Sequence, residues 1–175
     1  MLKEITERML HYLLLVGEGD AEVQLIQHLK RLYVERGSGI VVTIKNARGK
    51  GAGHVVDFAY RQSRNAAYDA KAALSDTDTD WNDKTRASAR KAKVHVIPCQ
   101  PCIEAVLLTT HHANIEGRAT AQLKQVFAAR FGAAASDASV LRHFSREVLN
   151  EARFRIVVLD ELLNLLMKVE TAKRD

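Results

Sequence analysis

"YLLLVGEGDAEVQLIQHLKRLYVERG", residues 12–37, is the stretch on which the fold turns. Its first part, "YLLLVGE" (12–18), is a short apolar run that stops at a glycine, which reads as a buried strand. From Asp20 the pattern changes. Apolar residues at 23, 25, 26, 29, 32 and 33 have helical spacing, and Gly37 and Gly39 end the helix. A buried strand followed at once by an amphipathic helix is the opening half of a β-α-β unit.

The chain continues in the same alternation. "IVVTI" (40–44) is β-branched and reads as a second strand. "NARGKGAGH" (46–54) reads as a flexible turn, with a helix after it to about residue 66. "DAKAAL" (69–74) is the third strand, although its alanines have poor strand propensity. A polar helix is expected around 83–92 and a fourth strand at "KVHVI" (93–97). "PCIEAVLLTTHH" (101–112) reads as a helix with Pro101 in its first position. Residues 118–170 read as two or three further helices ending in "VLDELLNLLMKV". The expected fold class is therefore α/β: a mostly parallel sheet of about four strands flanked by helices, with a C-terminal helical extension.

Composition bounds the function classes. A chain of 175 residues suits one domain with a helical appendage, and 47% hydrophobic with 27% charged residues is ordinary globular composition. The net charge of +5 permits a polyanionic partner without demanding one. Basic residues cluster at Arg61 and Arg64, then at Lys84, Arg86, Arg90, Lys91 and Lys93. Solvated helix faces are the plain explanation, and Arg86 and Arg90 are the candidates for touching nucleic acid. Aromatics, at 6%, do not interleave with these residues, so no base-stacking platform is indicated. "MLKEITERML" lacks the features of a signal peptide, and "YLLLV" is too short to cross a membrane; a cytoplasmic protein is expected.

The chemistry gathers in "AALSDTDTDWND" (72–83), which places Asp76, Asp78, Asp80 and Asp83 close together. Such a run is either a hydrated loop or a site for a hard cation. An EF-hand starting at Asp76 fails, because its sixth and twelfth positions are Trp81 and Ala87. A haloacid-dehalogenase pattern fits poorly, since the fifth position is Asp80 and the strand is the third. "GKGAG" (49–53) matches neither nucleotide-loop pattern. More specific is a convergence: in a parallel sheet Glu18 ends the first strand while Asp76 and Asp78 end the third, at the same edge. Magnesium favours carboxylates and keeps several waters, so two or three such groups suffice for metal-assisted phosphoryl chemistry. Asp76 and Asp78 are the principal candidate ligands, with Glu18 a further ligand or general acid/base. Glu22, one turn beyond Glu18, could reach a second metal or simply favour its helix N-terminus. Asp80 completes the candidate ligands, although helix capping is the preferred explanation for Asp80 and Asp83.

Taken in order, Glu18-Gly19 with Glu22, "RGKGAG", Asp76-Thr77-Asp78 and "QPCIEAVLL" with Pro101, Cys102 and Glu104 resemble the RloB-like family, whose nuclease domain is of the Toprim (OLD-like) type. The resemblance covers roughly residues 12–112. It implies a Toprim-like metal-binding domain over 1–115 and a helical extension over 116–175 packed on it. It further implies a Mg2+-dependent nuclease, with Mn2+ as substitute, in which Glu18, Asp76 and Asp78 are catalytic. The implied partners are nucleic acid, DNA ahead of RNA, and an ATPase subunit in defence against phage or foreign DNA. The alternative is a non-catalytic metal- or nucleic-acid-binding subunit on the same fold. Cys99 and Cys102 could be redox-active or join His111 or His112 at zinc, but ordinary buried thiols are preferred.

Overall fold

A computed structural model describes residues 10–167. The segment 1–9, weighed above as a leader, and residues 168–175, onto which the final helix expected from the sequence runs, lie outside the described residues. Strands β1 (His11–Gly17), β2 (Ile40–Asn46), β3 (Ala70–Asp76) and β4 (His95–Cys99) form one sheet in the order β2-β1-β3-β4. Every pairing is parallel. Helices α1 (Asp20–Tyr33), α2 (Gly51–Ser63), α3 (Asp83–Ala92) and α4 (Ile103–Thr110) follow the strands in turn.

The unbroken apolar run of β1 has a physical reason. Leu13 and Leu15 enter one apolar cluster with α1 and α4, while Leu14 and Val16 enter a second with α2. A strand covered on both faces has no solvent side on which to place polar residues. β3 repeats the pattern: Ala72 and Leu74 join the first cluster and Ala73 the second. Its alanines lie in the sheet interior, Ala73 on the face covered by α2 and Ala72 on the other, where packing overrides their weak strand propensity. The connection from β1 leads outward one way and that from β3 the other. Their carboxyl ends therefore flank the point where strand order reverses, where open α/β sheets bind ligands.

Two expected boundaries move. β4 begins at His95 rather than residue 93, because Lys93 adopts a left-handed conformation (φ 54°) that closes α3. Pro101 is not the first helical residue: Cys102 is the N-cap and α4 starts at Ile103. The Pro101 carbonyl instead accepts the Thr77 amide at 3.1 Å, tying the end of β3 to the chain entering α4.

The C-terminal part comprises α5 (Thr120–Phe131), a 3-10 segment Ala138–His143, α6 (Arg146–Ala152) and α7 (Val157–Met167). Leu159, Leu162, Leu163 and Leu166 of α7 are fully buried in the cluster that contains Leu13 and Leu15. At roughly 2 kcal/mol for each fully buried leucine, this segment shares the core rather than decorating it. Polar pins reinforce the packing: a His28 ring nitrogen lies 2.7 Å from the Phe144 carbonyl oxygen, and Tyr33 donates to Asn150 at 2.8 Å.

Gly17 makes the tight passage from β1 to α1 possible. A Cβ there would lie 2.8 Å from both the Val23 amide nitrogen and its Cγ2. Backbone cannot yield as a flexible side chain can, so Gly17→Ala is expected to destabilise the fold by about 1–3 kcal/mol. Urea denaturation of the variant against wild type measures this.

Candidate functional site

At the carboxyl ends of β1 and β3, Glu18 and Asp76 are locked together. One Glu18 carboxylate oxygen accepts the Ser75 hydroxyl at 2.7 Å and the Asp76 amide at 2.9 Å. Ser75 is 1% exposed, so this bond also satisfies a buried hydroxyl. Asp76 in turn accepts the Ile103 amide, at the start of α4, at 2.9 Å. Glu22, in the first turn of α1, accepts the Gly19 amide at 2.8 Å and is buried.

These three acids line a cavity of about 360 Å3 together with Asp20, Glu104 and, from α5, Lys124. Residues 134–136 complete its lining from the C-terminal part. A cavity of about 380 Å3 beside Pro98, Val106 and Val158 has a single carboxylate, Glu161, in its lining and no such convergence. Glu104 was not among the candidates drawn from the sequence. The signal for it was the Pro-Cys-x-Glu run, where it passes for an ordinary first-turn acid. It is buried, and its Oε2 has no hydrogen-bond partner.

Crowding of acids shows in their protonation. Burial first, then Glu22, Glu18, Glu104 and Asp78, push the Asp76 carboxyl up to about 8. Glu22 is also raised, mainly by burial, with the amides of Glu22 and Gly19 opposing and Glu18 and Glu104 adding to the rise. All available donors are hard oxygens, which suit Mg2+ or Mn2+. Among the described residues, no three His, Cys, Asp or Glu side chains are drawn close enough to enclose a metal as they stand. Each of Glu18, Glu22 and Asp76 holds its own backbone donor, and like charges gain nothing by approaching further.

The rest of the aspartate run disperses. Asp78 is exposed and lies outside the cavity lining, near enough only to add to the Asp76 shift. Asp80 is occupied elsewhere: its two carboxylate oxygens accept the Ala52 amide at 2.6 Å and the Gly53 amide at 2.9 Å, capping α2. The capped helix is thus α2, across the sheet edge, and not the α3 that follows in sequence. Asn82 caps α3, and Asp83 pairs with Arg86 at 3.0 Å. Arg86 also lies over the Trp81 ring, 5.1 Å from its centre. Arg90 sits in the last turn of α3, which runs back toward the start of β4 and so toward the opposite sheet edge from the acids. The expected basic strip from 84 to 93 thus runs along α3 away from the carboxyl edge, with Lys84 and Arg86 nearer to it than Arg90 and Lys91.

Cys99 and Cys102 are buried free thiols. Burial pushes Cys99 well up and Cys102 to about 12, so neither supplies a thiolate at neutral pH. His111, at the other end of α4, has its ring nitrogen 2.8 Å from the His143 carbonyl oxygen, and His112 lies 3.5 Å from Glu151. The zinc alternative therefore has no assembled ligand set here.

Compared with models of protein families, with curated proteins and with solved structures, the chain finds no match in any of the three.

Two outcomes follow from this geometry. Asp80→Ala removes both acceptors from the N-terminus of α2 and should cost about 1–2 kcal/mol in urea denaturation. The second concerns pH. Asp76 binds its proton more tightly folded (about 8) than at its ordinary value of 3.8. The stability this confers is complete below about 4 and is lost as pH rises through about 8. In metal-free buffer, Asp76→Asn should therefore gain on wild type from pH 5 to pH 8, by a few kcal/mol at most, as read by denaturation at the two pH values.

Proposed function

We propose that the chain is a magnesium-dependent phosphodiester hydrolase acting on nucleic acid, DNA ahead of RNA, with Mn2+ able to replace Mg2+. The observation that carries this reading is the joint exposure of Glu18 and Asp76, from adjacent central strands, to one cavity that also holds Glu22 and Glu104. Five carboxylates, Asp20 included, with Lys124 as their cationic neighbour in the lining repel a phosphate backbone unless a cation is present. A bound Mg2+ would offset charge growing on the non-bridging and leaving oxygens of the phosphodiester.

The chain's own groups divide the remaining work. Asp76 and Glu18 are the holding residues, oriented by the Ile103 amide, the Ser75 hydroxyl and the Asp76 amide. Asp78, exposed just beyond them, is a further oxygen donor at the rim. A Glu18 oxygen turned toward an attacking water would accept its proton. Lys124 supplies positive charge to the substrate phosphate. Arg48 and Lys50 are exposed on either side of Gly49, which lines the cavity, and replace Arg90 as the backbone-steering groups. The cellular setting, cytoplasmic defence against phage or foreign DNA beside an ATPase subunit, rests on the RloB-like resemblance alone. Among the described residues, no helix is long and apolar enough to cross a membrane.

Incubation with single- and double-stranded DNA and RNA in millimolar Mg2+ or Mn2+ tests the proposal. Cleavage is expected for wild type, with Glu18→Gln and Asp76→Asn slowed by about a hundredfold or more. Arg90→Ala, at the far edge, should cleave like wild type. Mn2+ binding without cleavage of any substrate would assign the chain to a binding subunit instead.

A further inference from the structure

We propose that Glu104 is a cation-holding residue, which together with Glu22 extends the acid site from the strand ends to the two helices that flank it. The inference deepens the hydrolase reading and rests on it for the presence of a cation. Its own support is geometric. Glu104 is 7% exposed, its carboxyl group is hydrogen-bonded to the Cys102 thiol while its Oε2 is buried without a partner, and the residue lines the cavity shared with Glu22 and Asp76.

A carboxylate oxygen removed from water and given no donor is among the least favourable arrangements in a folded protein. A first-turn acid that merely favours the dipole of α4 could do so while exposed. The helix amide next to it, that of Ile103, is already taken by Asp76. Glu22 is 4% exposed and raised in part by Glu104, so the two acids sense each other. What satisfies a bare oxygen surrounded by carboxylates is a positive charge small enough to enter. An all-oxygen set selects Mg2+ or Mn2+ over softer metals.

The test uses Mn2+ and needs no turnover. In calorimetric titrations, Glu104→Gln should weaken Mn2+ binding about tenfold or more. It should also lose most of the rise in melting temperature that Mn2+ gives wild type. Without metal it should melt at the wild-type temperature or above, since an unpartnered charge has been removed. Wild-type crystals soaked in Mn2+ should show an anomalous peak within coordination distance of a Glu104 oxygen, a readout that does not depend on the variant folding. Wild-type affinity in Glu104→Gln with binding lost in Asp76→Asn would overturn the role of Glu104 and leave the hydrolase site standing. So would a peak confined to Glu18, Asp76 and Asp78. Wild-type protein that binds no Mn2+ would overturn both.

Discussion

The Glu18 carboxylate, held by the Ser75 hydroxyl at 2.7 Å and the Asp76 amide at 2.9 Å, joins the two central strands just past the end of their ladder. The Glu18 amide adds a bond to the Leu74 carbonyl at 3.0 Å. With its amide committed to Glu18, Asp76 directs its own carboxylate to Ile103 and thereby fixes where α4 begins. The position of Glu104, one residue further on, follows from that anchor. A single acidic side chain thus sets the spacing of the acids around it. The cost is that carboxylates are gathered where burial already penalises their charge.

Two stretches that look unrelated in sequence are halves of one contact. The glycine-rich loop after β2 presents the Ala52 and Gly53 amides to Asp80 of the aspartate run. A Cβ on Gly51 would lie 2.5 Å from an Asp80 oxygen, and one on Gly53 would lie 2.9 Å away, so glycine is what lets the carboxylate in. Arg48, Gly49, Lys50 and Gly51 all have positive φ. For the two non-glycine residues this costs roughly 1–2 kcal/mol each. It is offset by the Arg48 amide bonding Asn46 at 2.8 Å and the Gly49 amide bonding Glu18 at 2.7 Å. Arg48 and Lys50 are thereby left exposed on either side of a residue that lines the acid cavity.

The parallel sheet was legible because two-face burial writes an unbroken apolar run such as Leu13–Val16, and because helical spacing follows it directly. Once strands are parallel, the shared edge of Glu18 and Asp76 follows from topology alone. Other features were not legible, for identifiable reasons. Asp80 caps a helix 28 residues earlier, a pairing that no local capping rule detects. Arg86 and Arg90 share one helix that returns across the sheet, so Arg90, one turn further on, lies further from the carboxyl edge. Glu104 has the residue type of any first-turn acid, and only its burial distinguishes it. Pro101 carries a helix-start signal, but its carbonyl is used by Thr77 before the helix begins.

The C-terminal segment bears on the chemistry as well as on stability. Lys124 and residues 134–136 wall the cavity, and the same segment places Phe127, Phe131 and Phe144 in the core beneath it. The acids at the ends of β1 and β3 and in the first turns of α1 and α4 therefore share a cavity with residues from well beyond the four-stranded sheet. Enclosure strengthens every charge interaction inside, in both directions. Without a cation it raises Asp76 and Glu22 and repels a phosphate backbone. With a cation bound, as the proposed hydrolase would require, Lys124 would add to its attraction for a phosphate backbone. In the hydrolase reading proposed above, a bound cation would offset part of this negative field, so association with a polyanion would follow metal binding rather than precede it.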